Sequence, residues 1–388
     1  MRILHTSDLH LGRSFHGRSL FREQEAWARE LVAVCEAQEV GAVIMAGDIY
    51  DQASPRTDVI DQFSRLLTRL RDLDVEVVLT SGNHDSAARL GFASNLLETA
   101  GVHFRTRIED IDRPVRLADG TLVYGIPYLD PRSSAAVLGT GPTHHEVLSA
   151  AVERARDDRL RQPHHTAVIV AHCFASGAEG TDSERILDTG NLGVVSADIF
   201  DGFDYAALGH LHGRQAIRDT VRYSGSPLPF SFSEANHRKG YWLLDTSAET
   251  LQIEAGEWTK AVDLACISGE LEDLLSSEDV AWAENCLCQV TLTDRRRPAH
   301  PMERLRDRFP ETLELKFSGL EATERDTYAS RMARAQSPAE ACAAFYEQVR
   351  GRELDTREHE EVTSAVAEAE RLRAAGDMDS PSGEEGHA

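Results

Sequence analysis

Five polar clusters in this chain each follow directly on an apolar run. They are Ser7-Asp8-Leu9-His10, Gly47-Asp48, Gly82-Asn83-His84-Asp85, Ala171-His172 and Gly209-His210-Leu211-His212. Carboxylate, imidazole and amide oxygen are all side-chain groups that bind divalent cations. Two such ions roughly 3.5–4 Å apart can clamp the attacking and leaving oxygens of a phosphoryl displacement. That arrangement needs ligands on both sides and an anionic bridge between them. Asp8, His10 and His212 can hold one ion, and Asn83, His172 and His210 the other. Asp48, alone after a middle run, is the natural bridging carboxylate. The alternation His210-x-His212 lets one extended segment serve both ions. Imidazole, carboxylate and amide together suit manganese, iron or zinc better than calcium or magnesium.

His84 is left over from this ligand set. Asp85 beside it is expected to hold the imidazole's orientation and raise its basicity. A positioned imidazole next to two metals can stabilise developing phosphate charge or protonate a leaving oxygen. Taken singly, each cluster has an ordinary explanation, since Gly-Asp is a common turn and Asp a common helix cap. The ordered set of five is what points to a metal centre. His144-His145 and His164-His165 lie in polar stretches containing proline, and His16 and His237 have no evident partner, so they stay outside it.

The elements that must position these groups read as alternating strands and helices. RILHTSD, AVIMAGD and VEVVLTSG are strand-like. Between the first two, residues 21–38 carry Trp27, Leu31, Val34 and Cys35 on one helical face. A second helix is expected to begin at Ser54-Pro55, with a stripe of Val59, Phe63, Leu66, Leu67 and Leu70. A third is expected over residues 86–99. The β-α-β-α-β order predicts an α/β fold with a mostly parallel sheet covered on both faces. In such sheets active sites form at the carboxyl ends of the strands. TLVYGIPYL, TAVIVAH, DYAALGH, VRYSGSP and GYWLLDT continue the strand pattern. The character changes near residue 246. LQIEAGEW, CLCQVTL and TLELKFSG around a helical PMERLRDR predict a small α+β domain over 246–325, after a first domain over 1–245. Residues 326–388 are expected to be helices and an acidic tail.

Composition fits an ordinary globular protein, with 41% hydrophobic and 27% charged residues in 388. No apolar run approaches the roughly 20 residues of a membrane-spanning helix. The N-terminus opens a strand at once, without a secretion-signal pattern, so a cytoplasmic location is expected. Six scattered cysteines make no disulfide framework, and Cys286-Leu-Cys288 lacks a second pair to complete a metal site. The net charge of −24 argues against a large basic nucleic-acid surface. Residues 353–388 alone carry 11 acidic residues against 3 arginines.

The ordered clusters resemble those of the calcineurin-like metallophosphoesterases, over roughly residues 1–215. HTSDLHLGRSFHGRS, GDIYDQASP, GIPYLDP and YSGSPLPFSFSE are further similar to one branch, the SbcD-type nucleases related to the Mre nucleases. The resemblance implies a β-sandwich flanked by helices, with a small capping domain and C-terminal helices. It implies a manganese-dependent double-strand exonuclease and hairpin or single-strand endonuclease, used in DNA end processing, repair and recombination. It places Asp8, His10, Asp48 and His212 around one ion, and Asp48, Asn83, His172 and His210 around the other. His84 becomes the transition-state residue. It also implies a homodimer, a nucleoid-associated location and an SbcC-type coiled-coil ATPase partner, docked by analogy on helices after Ser337. Dependence on that partner for DNA grip would account for the acidic balance, with Arg13, Arg18, Arg56 and Arg89 near the site loops as local phosphate contacts or plain surface residues. Asp51 is expected to line a DNA path or a solvated loop. The competing readings are a phosphodiesterase of the same superfamily acting on a nucleotide or small ester, a scaffold with a degenerate site, and an interaction module centred on the tail.

Overall fold

The computed structural model describes residues 1–181, 193–248, 250–259, 262–318, 337–350, 352 and 354–377. The chain divides into two units, Met1–Thr293 with Pro298–Ser318, and the remainder. In the first unit, β1 (Arg2–Thr6), a small hairpin of β2 (Ser14–Phe15) and β3 (Arg18–Ser19), α1 (Phe21–Ala37) and β4 (Val40–Ala46) come first. Then follow α2 (Thr57–Asp72), β5 (Glu76–Thr80), α3 (Ala87–Leu90), α4 (Ser94–Glu98), β6 (Val102–Arg105), β7 (Val115–Arg116) and β8 (Leu122–Gly125). The chain continues through α5 (Pro131–Leu138), α6 (His144–Leu160), β9 (Ala167–His172), β10 (Tyr205–Gly209), β11 (Gln215–Ala216), β12 (Val221–Tyr223), β13 (Gly240–Asp245) and β14 (Gln252–Glu257).

These strands form two six-stranded sheets rather than one. Their orders are β14-β13-β1-β4-β5-β6 and β11-β12-β10-β9-β8-β7. The central strands β1, β4 and β5 run parallel, as do β8, β9 and β10, while β13 joins β1 antiparallel. The sheets pack face to face over a buried layer that includes Ile3, Ile44, Val78, Val170 and Leu244. The opposite faces carry their own cores. Leu4, Val43 and Met45 pack with Trp27, Leu31 and Phe63 of α1 and α2, and Leu122 and Ile169 pack with Val147 and Ala151 of α6. Successive strand residues point to opposite faces. Here both faces are dry, so the strands read as unbroken apolar runs. Full burial of each such side chain contributes about 1.5–3 kcal/mol. The sandwich flanked by helices is thus observed. One sheet covered on both faces was the reading from periodicity alone, and periodicity does not distinguish a helix-covered face from a sheet-covered one.

Local departures have local causes. α2 begins at Thr57, two residues after Pro55, because Arg56 is still extended at ψ 156°. The helix expected over residues 86–99 is broken into α3 and α4, since α3 stops at Gly91 and Ala93 takes a left-handed φ of 60°. LQIEAGEW belongs with the first sheet, not the small domain. β14 pairs with β13 along its whole length, from Gly240↔Glu257 to Asp245↔Gln252.

Beyond it lies a compact layer of β15 (Leu264–Gly269), α7 (Leu271–Ser276), β16 (Leu287–Leu292), α8 (Pro301–Arg308) and β17 (Thr312–Phe317). Its three strands are parallel, in the order β15-β16-β17. One face encloses Ile267, Val290, Leu305 and Phe309, with Cys286 and Cys288 among them as inert core residues. The other face sets Leu264, Leu287 and Leu313 against Phe15, Leu228, Phe230 and Phe232. In the second unit, α9 (Pro338–Arg350) and α10 (Thr356–Asp377) are joined by Glu358, which accepts from Arg350 and Arg352. Asp355 and Glu358 exchange side-chain and backbone hydrogen bonds at 2.8 and 3.1 Å, a reciprocal cap for α10. The end of the acidic tail, residues 378–388, lies outside the described residues. Among the described residues, no helix is long and apolar enough to cross a membrane.

Candidate dinuclear metal centre

The carboxyl ends of β1, β4 and β5 from one sheet meet those of β9 and β10 from the other. All seven ligand-type residues expected from the sequence, with His84 and Asp85, stand at this junction. Backbone bonds tie the loops together, Asp8 N to Gly47 O at 3.2 Å and His10 N to Asp48 O at 3.0 Å. The backbone there is unusual. Asp8, His10, Asp48 and His210 all have positive φ, at 53°, 41°, 47° and 102°. Non-glycine residues rarely adopt such angles, and they persist where surrounding structure holds them for a function. Gly47, at φ 80°, precedes Asp48 because a side chain there would both strain the turn and strike the His172 imidazole.

Asp48 occupies the middle. Its Oδ2 lies 3.6 Å from His10 Nε2 and 3.3 Å from His172 Nε2, and its Oδ1 accepts the His84 amide at 2.9 Å. Asn83 Oδ1 is 3.1 Å from His172 Nε2. On the other side, His10 Nε2 and His212 Nε2 approach to 3.3 Å, with Asp8 in the same cluster. Asp8 also accepts the His210 amide at 2.9 Å, so it ties the two sheets together. The His210 ring stands 5.3 Å from that of His172.

Each of three imidazoles is set from behind. His172 Nδ1 faces Ala46 O at 3.0 Å, His10 Nδ1 faces Asp51 at 3.4 Å, and His212 Nδ1 faces Glu234 at 3.4 Å. An acceptor behind Nδ1 favours a proton on that nitrogen and turns Nε2 toward the interior, where it can take a metal in place of a second proton. His10 and His212 thus bring their Nε2 atoms within 3.3 Å of each other, a spacing that suits a cation shared between them. Ligand–ligand gaps near 3–3.5 Å are those of an ion bound at about 2.1 Å.

The electrostatics agree. Burial pushes the imidazoles of His10 and His210 down to about 3, so both are neutral, the form that binds metal. Burial holds the Asp8 carboxyl up at about 6, a carboxylate short of cationic company. Burial opposes ionisation of Asp48, yet His172 and His10 hold it well below the usual carboxylate range. Burial also works against charge on His172, but Asp48 and Asp8 carry it up to about 9, where a proton fills the place a cation would take. The donor set fits two divalent ions.

Asp85 is a correction. Its carboxylate does not touch the His84 imidazole. It accepts three backbone N–H groups, Gly82 at 2.9 Å, Ile49 at 3.0 Å and Tyr50 at 2.9 Å, and so staples the β4 loop to the β5 loop. Three converging amides are better partners for a buried carboxylate than one imidazole. His84 is oriented instead by Asp51, whose carbonyl lies 2.9 Å from Nδ1. Asp51 thus supports His10 and His84. Among the described residues no protein group engages His84 Nε2. Of the four arginines, Arg13 is at the centre's edge, paired with Asp51 at 3.2 Å and lying over Phe230. Arg18 pairs with Glu23, Arg56 with Asp58, and Arg89 donates to Ala53 O.

Sequence reading missed the supports. Ser224 donates to Ser7, which donates to Asp8, and Phe230 stands edge-on to both His10 and His212. Ser224, Phe230 and Glu234 all belong to YSGSPLPFSFSE, whose small, hydroxyl and aromatic residues form the wall behind the first cluster. That stretch was visible as a motif, though without a role.

Residues 1–214 match the family described as calcineurin-like phosphoesterase, and residues 260–350 match the type 5 capsule protein repressor C-terminal domain. The chain is 29% identical over 320 residues to the SbcD component of the SbcCD nuclease of Staphylococcus epidermidis, covering 81% of this chain and 85% of that protein. Among solved structures it is similar to a dimetal phosphatase from Danio rerio, at 13% identity and a TM-score of 0.40, over 67% of this chain and 97% of the other. It is similar also to a protein of Thermus thermophilus, at 13% identity and a TM-score of 0.39, over 66% and 98%. With the phosphoesterase match running through more than half of its length, over the same strand ends that gather the metal-binding side chains, the chain belongs to the calcineurin-like phosphoesterase family of metal-dependent enzymes.

Proposed function

We propose that this chain is the nuclease subunit of an SbcCD-type complex, a manganese-dependent phosphodiesterase that trims DNA ends and opens hairpins. The observation that carries the reading is Asp48 Oδ2 set between His10 Nε2 and His172 Nε2, at 3.6 and 3.3 Å, as a carboxylate bridging two ions would be. The relative named above, a subunit of the SbcCD nuclease, supports a nucleic-acid substrate and a partner subunit. Asp8, His10, His212 and Asp48 would hold one ion, and Asp48, Asn83, His172 and His210 the other. Bound divalent ions supply Lewis acidity to the attacking and leaving oxygens of the phosphodiester. His84, held through Nδ1, turns Nε2 to the substrate and either stabilises charge on the phosphate or gives a proton to the departing oxygen. Asp85 keeps the loops bearing Asp48 and Asn83 in register.

Two surfaces suit the partners. An apolar groove of about 660 Å³ runs between α2 and α4, lined by Phe63, Leu67, Leu97 and Phe104. Phe92 and Leu96 beside it are 81% and 75% exposed, which favours a second copy of the chain as its cover. On α9, Phe345, Tyr346 and Val349 are exposed and suit the ATPase. The test is cleavage of end-labelled duplex and hairpin DNA with Mn²⁺, beside a small aryl phosphodiester, by wild type and His84→Ala. DNA cutting that is lost in the variant supports the nuclease. Turnover of the ester alone, even with the ATPase added, supports a small-substrate phosphodiesterase.

A further inference from the structure

The loop after His212 encloses a buried ion pair that no step of the reaction uses. Glu234, at the end of a short helical turn, has a side chain wholly shielded from solvent, and that of Lys239 is 9% exposed. The Lys239 ammonium has three donors. They meet three acceptors, Glu234 Oε2 at 2.5 Å, His212 O at 2.8 Å and Ser226 Oγ at 2.9 Å. The ammonium therefore pins one carboxylate oxygen and the backbone of His212 together. The other carboxylate oxygen faces His212 Nδ1 at 3.4 Å.

Resting on the metal-centre reading, we propose that Glu234 and Lys239 are positioning residues that set the tautomer and direction of His212, and with them the affinity of one of the two metal sites. The other site lacks this device at His172, whose Nδ1 faces the neutral carbonyl of Ala46. A carboxylate behind a ligating imidazole raises its basicity, and loss of such a partner costs roughly 10–100-fold in metal affinity. Glu234→Gln is a selective probe. Its amide oxygen remains with Lys239, which turns the NH₂ toward His212 Nδ1. That donor favours the tautomer with the proton on Nε2, the nitrogen that must be bare to bind metal.

The experiment is calorimetric titration of Mn²⁺ into chelator-stripped full-length protein, with circular dichroism before titration to establish folding. Wild type is expected to take two ions. Glu234→Gln is expected to keep one affinity and to lose roughly 10–100-fold in the other. If Glu234→Gln does not fold, the double variant Glu234→Met with Lys239→Met removes both charges together, which buried pairs tolerate, and the same one-site loss is expected. A folded variant with both affinities unchanged, or with both lost equally, would overturn the inference while leaving the metal centre standing. Wild type that takes up no Mn²⁺ would overturn the metal-centre reading itself.

Discussion

Replacing Asp85 with asparagine separates two ways in which this carboxylate can matter. Its Oδ2 accepts from Ile49 and Gly82 and its Oδ1 from Tyr50, all within 3.0 Å. An asparagine can keep its oxygen at the Oδ2 position and retain two bonds. Its NH₂ then faces the Tyr50 N–H, donor to donor. One buried donor without a partner costs about 1–3 kcal/mol. The two remaining bonds fall from charged to neutral strength, about 1 kcal/mol each. The sum is about 3–5 kcal/mol. The lower end applies, because burial and the nearby Asp48 already push the Asp85 carboxyl up to about 6, and removing the charge relieves that repulsion. A loss of about 3 kcal/mol lowers the melting temperature of a domain this size by roughly 6 °C. The assay is a thermal melt of chelated wild type and Asp85→Asn, followed by Mn²⁺ titration. Loosened loops should also weaken metal binding, since Asp48 and Asn83 sit on them. Unchanged melting and metal binding with activity gone would refute this account and return Asp85 to the service of His84.

Other outcomes follow from the same geometry. His84→Ala should retain both Mn²⁺ ions by titration while DNA cleavage falls about 10²–10⁴-fold. In the metal-free protein, His172 is raised to about 9, so its stabilising contribution is complete below pH 6.5 and is lost as pH rises through about 9. Near neutral pH, metal uptake must displace that proton, and calorimetry in two buffers of different ionisation heat should show about one proton released. Phe92→Glu, at a side chain 81% exposed, should change stability by no more than about 0.5 kcal/mol yet lower the dimer fraction in sedimentation. Deleting the chain from Ser337 should abolish capture by the ATPase while leaving Mn²⁺ stoichiometry at two.

Much of the centre was legible in the chain itself. Alternating and continuous apolar runs mark strands through a period of two, and ligand types just past them mark the edge where α/β proteins build sites. Asp8, His10, Asp48, Asn83, His172, His210 and His212 were found that way because each is local to its own strand end. What tertiary structure decided were relations between segments far apart in sequence. Whether an apolar strand face meets a helix or a second sheet depends on partners elsewhere, so the two-sheet sandwich was invisible to periodicity, as was the return of Gln252–Glu257 to the first sheet. Asp85 sits beside His84 in the chain, yet its carboxylate finds amides 35 and 36 residues away. His212 is set by Glu234, which is 22 residues downstream. The side chains that can bind metal are a property of composition and spacing. Their orientation comes from groups that only folding brings near, because hydrogen bonds act over about 3 Å of space, regardless of distance along the chain.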